Sequence, residues 1–217
     1  MRSRITNIRS GGRRLYKSAY TTIKNRREIS RLNGDGDKAI RSVARAISAA
    51  LSESSSIEER LVIERIESLR SGLEASTTEI AIMDYGAGSP DLNLTPEEMF
   101  RGRVVARTIG DVCRRASIPR RWAFLLFKLI RELRPSVCLE LGTALGISAA
   151  YQAAALELNG IGIVVSLEGA ESLASLARMN LEQLALERGI VSVGRFNDIL
   201  HEVLTEHPHV DFAFIDG

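Results

Sequence analysis

The sequence predicts an α/β protein: a doubly wound parallel sheet, incomplete at about four strands, preceded by a helical amino-terminal region. Three observations predict it. From Ser136 onward, short apolar runs alternate with helical stretches at βαβ spacing, a pattern that gives a parallel sheet covered on both faces. Right-handed crossovers then wind the chain onto both sides of that sheet. Before Pro135, helix-start signals dominate instead, and positive charge collects at the amino terminus.

Residues 1–50 read as a basic arm, partly disordered or helical. Gly11-Gly12 and the turn signal Asn33-Gly34-Asp35-Gly36 interrupt it, while residues 38–51 are alanine-rich and suit a helix. Residues 51–135 read as a helical extension. The serine cluster at 52–56 marks a break, and Ser56-Ile57-Glu58-Glu59 is a capping box. Leu61, Val62, Ile66 and Leu69 recur near helical spacing, with Gly72 as the expected stop. Thr95-Pro96-Glu97-Glu98 starts a second helix, expected to run to about Arg115. Another starts at Ile118-Pro119, carries Trp122, Leu125, Leu126, Leu129, Ile130 and Leu133, and ends at Pro135.

Residues 136–217 carry the sheet. Strands are expected at 137–141, 161–167, 190–193 and 210–215, with helices at 147–158, 170–187 and 199–205 and a break at Gly189.

Composition excludes several classes. With 45% hydrophobic and 26% charged residues the chain is not wholly disordered. It has no apolar run of the roughly 18 residues that a membrane-spanning helix needs. Cys113 and Cys138 cannot make a disulfide framework, and no CxxC or His/Cys cluster suggests zinc. Both lie in apolar stretches and are expected to be buried reduced thiols, which fits a reducing cytoplasm.

The net charge of +2 conceals an asymmetry: residues 1–45 carry +10 and residues 136–217 carry −8. Such an arm suits nucleic acid or an anionic membrane surface, or serves as an organelle-targeting peptide. Without aromatic interleaving or a binding motif, a solvated, partly helical tail is the favoured reading, one that docks on the acidic domain. No apolar stretch follows the first arginines, which disfavours a secretory signal.

Two glycine motifs compete for a ligand. Ile80 to Gly88 looks like a strand feeding a nucleotide-binding turn, but Ser89-Pro90-Asp91-Leu92-Asn93 follows instead of a helix. A cofactor turn must open into a helix whose free N–H groups face the ligand, so this motif reads as a decoy. The alternative is a loop, containing residues 84–90, that folds over a ligand from outside. Gly142-Thr143-Ala144-Leu145-Gly146 has the right context, strand before and helix after. It lacks the middle glycine of GxGxxG, and Glu140 beside it would repel a diphosphate while suiting a cationic ligand. Glu168 closes the second strand, 28 residues after Glu140, where a carboxylate reads the ribose hydroxyls of adenosine cofactors.

These motifs together resemble the class I S-adenosylmethionine-dependent methyltransferases, of the bacterial small-molecule O-methyltransferase type. The residues that carry the resemblance are Leu139-Glu140-Leu141-Gly142-Thr143-Ala144-Leu145-Gly146-Ile147-Ser148, Ser166-Leu167-Glu168-Gly169, Gly194-Arg195-Phe196-Asn197-Asp198 and Asp211 to Gly217. The stretch 57–70 and Asp84 to Ser89 also resemble the amino-terminal extension of some bacterial members, whereas residues 1–50 resemble no family. The resemblance implies a Rossmann-like fold and S-adenosylmethionine as cofactor. It places Glu140, Gly142, Thr143, Gly146 and Ser148 around the cofactor's amino-acid end, Glu168 on the ribose, and Phe196 and Asn197 beside the adenine. Asp216 would sit by the methyl sulfonium as the catalytic candidate, and in metal-using relatives that aspartate is also a magnesium ligand. Ala144 stands at the middle glycine of the broader pattern, a change the O-methyltransferase branch tolerates.

The implied activity is O-methylation of a small hydroxylated metabolite. The family's sheet has seven strands, so the chain reads as truncated after the fourth, with residues 212–215 as an uncovered apolar edge open to partners, a homo-oligomer included. His201, His207 and His209 are badly placed for a base. Other classes remain: a nicotinamide oxidoreductase, which would want GxGxxG; an RNA-directed binding module using the basic arm; and an inactive fragment of a longer methyltransferase.

Overall fold

The protein is described by a computed structural model over residues 27–86 and 95–216. It divides into two compact units, Met1–Ser54 and Ser55–Gly217. In the first, residues 27–33 are helical, a turn follows at Gly34, and α1 spans Lys38–Leu51 as the alanine content predicts. Asp37 caps it, its carboxylate accepting from the N–H of Ala39 at 2.6 Å. Residues 1–26 of the basic arm, Gly11-Gly12 among them, lie outside the described residues.

The second unit opens with α2 (Ile57–Ala75), started by the predicted capping box: Ser56 accepts from the Glu59 amide and Glu59 reaches back to the Ser56 amide. Gly72 does not stop it. A glycine costs a helix about 1 kcal/mol, less than the packed face bearing Ile63 and Ile66 returns, and the helix ends at a Ser76 cap instead.

The expected helix from Thr95 to about Arg115 is also wrong. It is a short helix α3 (Pro96–Arg101), a strand β2 (Arg103–Thr108) and a second helix α4 (Ile109–Ala116). Gly102, at φ 69°, ends α3. β2 then pairs antiparallel with β1 (Glu79–Asp84), from Glu79 opposite Thr108 to Asp84 opposite Arg103. Thr108 caps α4 by accepting from the Asp111 amide. The Ile80 strand therefore belongs to a separate two-stranded sheet and feeds no helix of a parallel one, as the decoy reading expects. Ala87 and Gly88 lie outside the described residues.

Helix α5 (Arg120–Leu133) stops at a left-handed Arg134 ahead of Pro135. The parallel sheet follows: β3 (Val137–Leu141), α6 (Ile147–Asn159), β4 (Ile163–Glu168), α7 (Glu171–Gln183), β5 (Gly189–Val193), α8 (Phe196–Glu206) and β6 (Phe212–Ile215). Its order is β5-β4-β3-β6, all parallel, a four-stranded Rossmann-like arrangement of the kind the sequence predicts.

Boundaries differ where turns intervene. α7 ends four residues before 187 because Ala185 takes a left-handed turn at φ 53°. Gly189, expected as a breaker, is the first residue of β5. α8 begins at Phe196, three residues before 199. β4 begins at Ile163, after the left-handed Gly162. β6 begins at Phe212, because the Asp211 side chain caps the amides of Ser136 and Val137.

Alternation along the strands divides the core. Cys138 and Val164 face α2, α5, α6 and α7, with Ile66, Phe127, Tyr151 and Ala177. Leu139, Val165 and Leu167 face α8 through Val203, with Phe196 and Ile199. α6 is buried almost all round and carries five alanines among its thirteen residues, which lets its neighbours approach closely. A buried ion cluster fastens α2 to α5: Glu59 accepts from Lys128 Nζ at 2.6 Å and from Arg131 Nε at 3.0 Å. Cys113 and Cys138 are free, buried thiols. Among the described residues no helix is long and apolar enough to cross a membrane.

Candidate functional site

The strand order fixes where a ligand can sit. The chain runs outward from β3 through β4 to β5, then returns to place β6 on the other side of β3. In an open α/β sheet, ligands bind beyond the carboxyl ends of the strands where the order reverses. Here that crevice lies between β3 and β6. The loop from Gly142 to Gly146 leaves β3 at that edge, and Asp216 follows β6 beside it, its amide donating to the Leu141 carbonyl at 2.9 Å.

The glycine loop is a tight one. The Gly142 amide donates to the Leu167 carbonyl, and the Gly146 amide to the Thr143 carbonyl. Gly146 is left-handed at φ 80°, and a Cβ there would lie 3.1 Å from the Ala177 side chain. Only glycine meets both demands, so the start of α6 lies directly on α7. Ala144 is also left-handed at φ 46°, a conformation that costs a residue with a Cβ about 1–2 kcal/mol.

Beneath the loop lies a buried polar cluster. Register places Glu140 opposite Ser166 of β4 and Phe214 of β6. Glu140 has no exposed surface. It accepts from Gln152 Nε2 at 3.0 Å and from the Ser166 hydroxyl, while Thr143 shares a short hydrogen bond with Ser166. Burial pushes the Glu140 carboxyl up to about 7, against the lowering effect of Ser166, Ser148 and Gln152. Glu140 is thus a floor group below the strand tip, with Thr143 and Ser148 buried alongside.

Glu168 ends β4 half-buried. One of its oxygens accepts from the Ala144 amide at 2.8 Å and the other from the Ala170 amide at 2.9 Å. Each carboxylate oxygen has a second lone pair, so both can still accept from vicinal hydroxyls. Burial raises its pKa, and the amide bonds oppose the rise. Phe196 packs against the α8 face of the sheet, while Asn197 is exposed in the first turn of α8. Asp216 is exposed, with its pKa raised by partial burial.

His201 is exposed on α8, and His207 and His209 precede β6 at the opposite edge of the sheet. Among the described residues no three His, Cys, Asp or Glu side chains gather as metal ligands. The sequence reading missed Gln152 and Ser166 as partners of Glu140. Their signal is a polar residue on the inward side of an alanine-rich helix and another in an apolar strand.

No protein-family model matches the chain, and no curated protein matches it. Solved structures do. The chain is similar to the O-methyltransferase from Bacillus cereus in complex with SAH, at 30% identity over 47% of this chain and 46% of that one, with a TM-score of 0.42. It is similar to the O-methyltransferase TomG from Streptomyces achromogenes, involved in tomaymycin synthesis and in complex with SAM, at 28% identity over 48% and 46%, with a TM-score of 0.43. It is also similar to the SAH-bound Podospora anserina methyltransferase PaMTH1, at 18% identity over 47% and 42%, with a TM-score of 0.43. The chain spans about half the length of these structures.

Proposed function

We propose that this chain carries the cofactor-binding half of an S-adenosylmethionine-dependent methyltransferase that acts on the hydroxyl of a small metabolite. The observation that carries the reading is the pair of carboxylates that follow or end two strands beside the switch point, Glu168 at the end of β4 and Asp216 after β6, around a glycine loop with Glu140 buried beneath it. A cofactor with a sulfonium, an ammonium and a vicinal diol matches carboxylates better than a diphosphate does. In this reading Gly142, Thr143, Gly146 and Ser148 border the amino-acid end above the Glu140 floor. Glu168 receives the ribose hydroxyls on its remaining lone pairs, and Phe196 and Asn197 border the base.

When bound, the cofactor supplies a methyl group on a sulfonium sulfur. Transfer is an in-line displacement in which the sulfur–carbon bond breaks as the oxygen–carbon bond forms, so alignment is the main contribution of the protein. In this reading Asp216, which follows β6 at the switch point, stabilises the sulfonium by its charge. The acceptor proton needs a base, and the three histidines are remote from the crevice.

The setting we propose is the cytoplasm, which suits the free buried thiols. A second reading rests on the +10 charge of residues 1–45: polyanion binding by the arm, which would weaken steeply with salt.

Thermal unfolding tests the main reading. A ligand that binds only the folded state raises the melting temperature, so S-adenosylhomocysteine should raise it and NAD should not. The reverse pattern would replace this function with a nicotinamide one.

A further inference from the structure

The hairpin of β1 and β2 is docked over the carboxyl ends of β4 and β5, and four observations describe how. Ile82, Ile109, Val112 and Cys113 form one apolar cluster with Leu145 of the glycine loop and with Ala170 and Leu173 at the start of α7. The Ser172 hydroxyl donates to the Ala81 carbonyl at 2.7 Å. The Tyr85 ring is held by both edges between two glycines. A Cβ at Gly169 would meet its Cδ2 and Cε2 at 3.2 Å, and one at Gly102 would meet its Cε1 at 2.8 Å. Finally, the Arg195 guanidinium donates to the Phe100 carbonyl at 2.7 Å, lies 4.5 Å from the Phe100 ring centroid and 5.8 Å from that of Tyr85, and is paired with Asp198.

These contacts converge on one place. Gly169 follows Glu168 directly, and Arg195 directly precedes Phe196. The hairpin therefore meets the sheet at the two strand tips that would carry the nucleoside end of the cofactor, whereas the methyl group would lie at the β3–β6 crevice. A tyrosine ring and a guanidinium plane are also the surfaces on which a purine stacks. Substituting a residue with a side chain at Gly169 would push the ring off this position.

We propose that the β1–β2 hairpin is the outer wall of the adenosine subsite, with Tyr85 a positioning residue that fixes the base end and Arg195 the clip holding the wall to the β5–α8 turn. This rests on the methyltransferase reading above. It assigns a ligand-directed role to the extension and explains why Gly102 and Gly169 flank the tyrosine.

The test is calorimetric titration of the full chain with S-adenosylhomocysteine and with 5′-methylthioadenosine, which keeps the nucleoside and lacks the amino-acid end. Tyr85→Ala should weaken both ligands equally, by about tenfold, with an unchanged melting temperature. Tyr85→Phe should restore wild-type affinity, and Phe100→Ala, at an exposed ring, should weaken both ligands by a smaller factor. A purely structural tyrosine would instead lower the melting temperature of Tyr85→Ala together with its affinity. If Glu168→Ala loses binding while Tyr85→Ala and Phe100→Ala bind as wild type, the wall is overturned and the methyltransferase reading stands. If the wild-type chain binds neither ligand, both fall. Should Tyr85→Ala fail to fold, Phe100→Ala decides, and undiminished affinity overturns the wall.

Discussion

Glu140 is a carboxyl group without exposed surface whose protonation changes near neutral pH. Because burial raises its folded pKa above the unfolded value, the folded state holds its proton more tightly. Stability from this group is greatest below the unfolded pKa and falls as pH rises through about 7. Glu140→Gln should therefore stabilise the chain at pH 8, by on the order of 1–3 kcal/mol, and have little effect at pH 4. Urea unfolding at the two pH values checks this, and an equal effect at both would remove the proton-linked account. Ala144 supplies a second test at the same scale. Its left-handed backbone at φ 46° makes Ala144→Gly stabilising by up to about 1 kcal/mol, read as a rise in melting temperature.

Among the elements, α2 and α5 are tied by Glu59, whose carboxylate serves the capping box and both Lys128 and Arg131. Burial raises its pKa, but the bonds from Lys128, Ser56 and Arg131 outweigh that and hold it below the usual value. A depressed folded pKa gives stability that is present above the unfolded pKa and lost as pH falls through the folded one. Glu59→Ala leaves Lys128 buried without its partner and should cost about 3–5 kcal/mol in denaturant unfolding at pH 7, with a smaller loss at pH 3. The capping box was visible in the sequence because it is local; the two cations were not, because they lie on another helix. The same distinction explains β2. Residues 103–108 carry too few positions to separate a strand from a helix by period alone, and the β1 partner that decides the matter lies about twenty residues earlier. The parallel strands were readable because each is a continuous apolar run between helices.

For the whole molecule, alternation and handedness anticipated a doubly wound parallel sheet, and the strand order β5-β4-β3-β6 that the structure adds places the switch point. Motif order carried the glycine loop and Glu168 into that site. What alternation could not convey is depth: Glu140 reads as a strand-tip ligand in the sequence, yet it points beneath the loop toward Gln152. Nor could it convey the hairpin, whose contact with Gly169 and Arg195 arises only when distant segments meet. The proposed function rests at this scale on Glu168, which links the glycine loop to the start of α7 through the Ala144 and Ala170 amides.

The most direct measurement is calorimetric titration of the chain with S-adenosylhomocysteine beside its Glu168→Ala variant. The account predicts micromolar binding by the wild-type chain and a loss of roughly 1–3 kcal/mol in the variant, the worth of charge-assisted hydrogen bonds. A folded chain that binds no S-adenosylhomocysteine, or a variant that binds it as tightly as wild type, would contradict it.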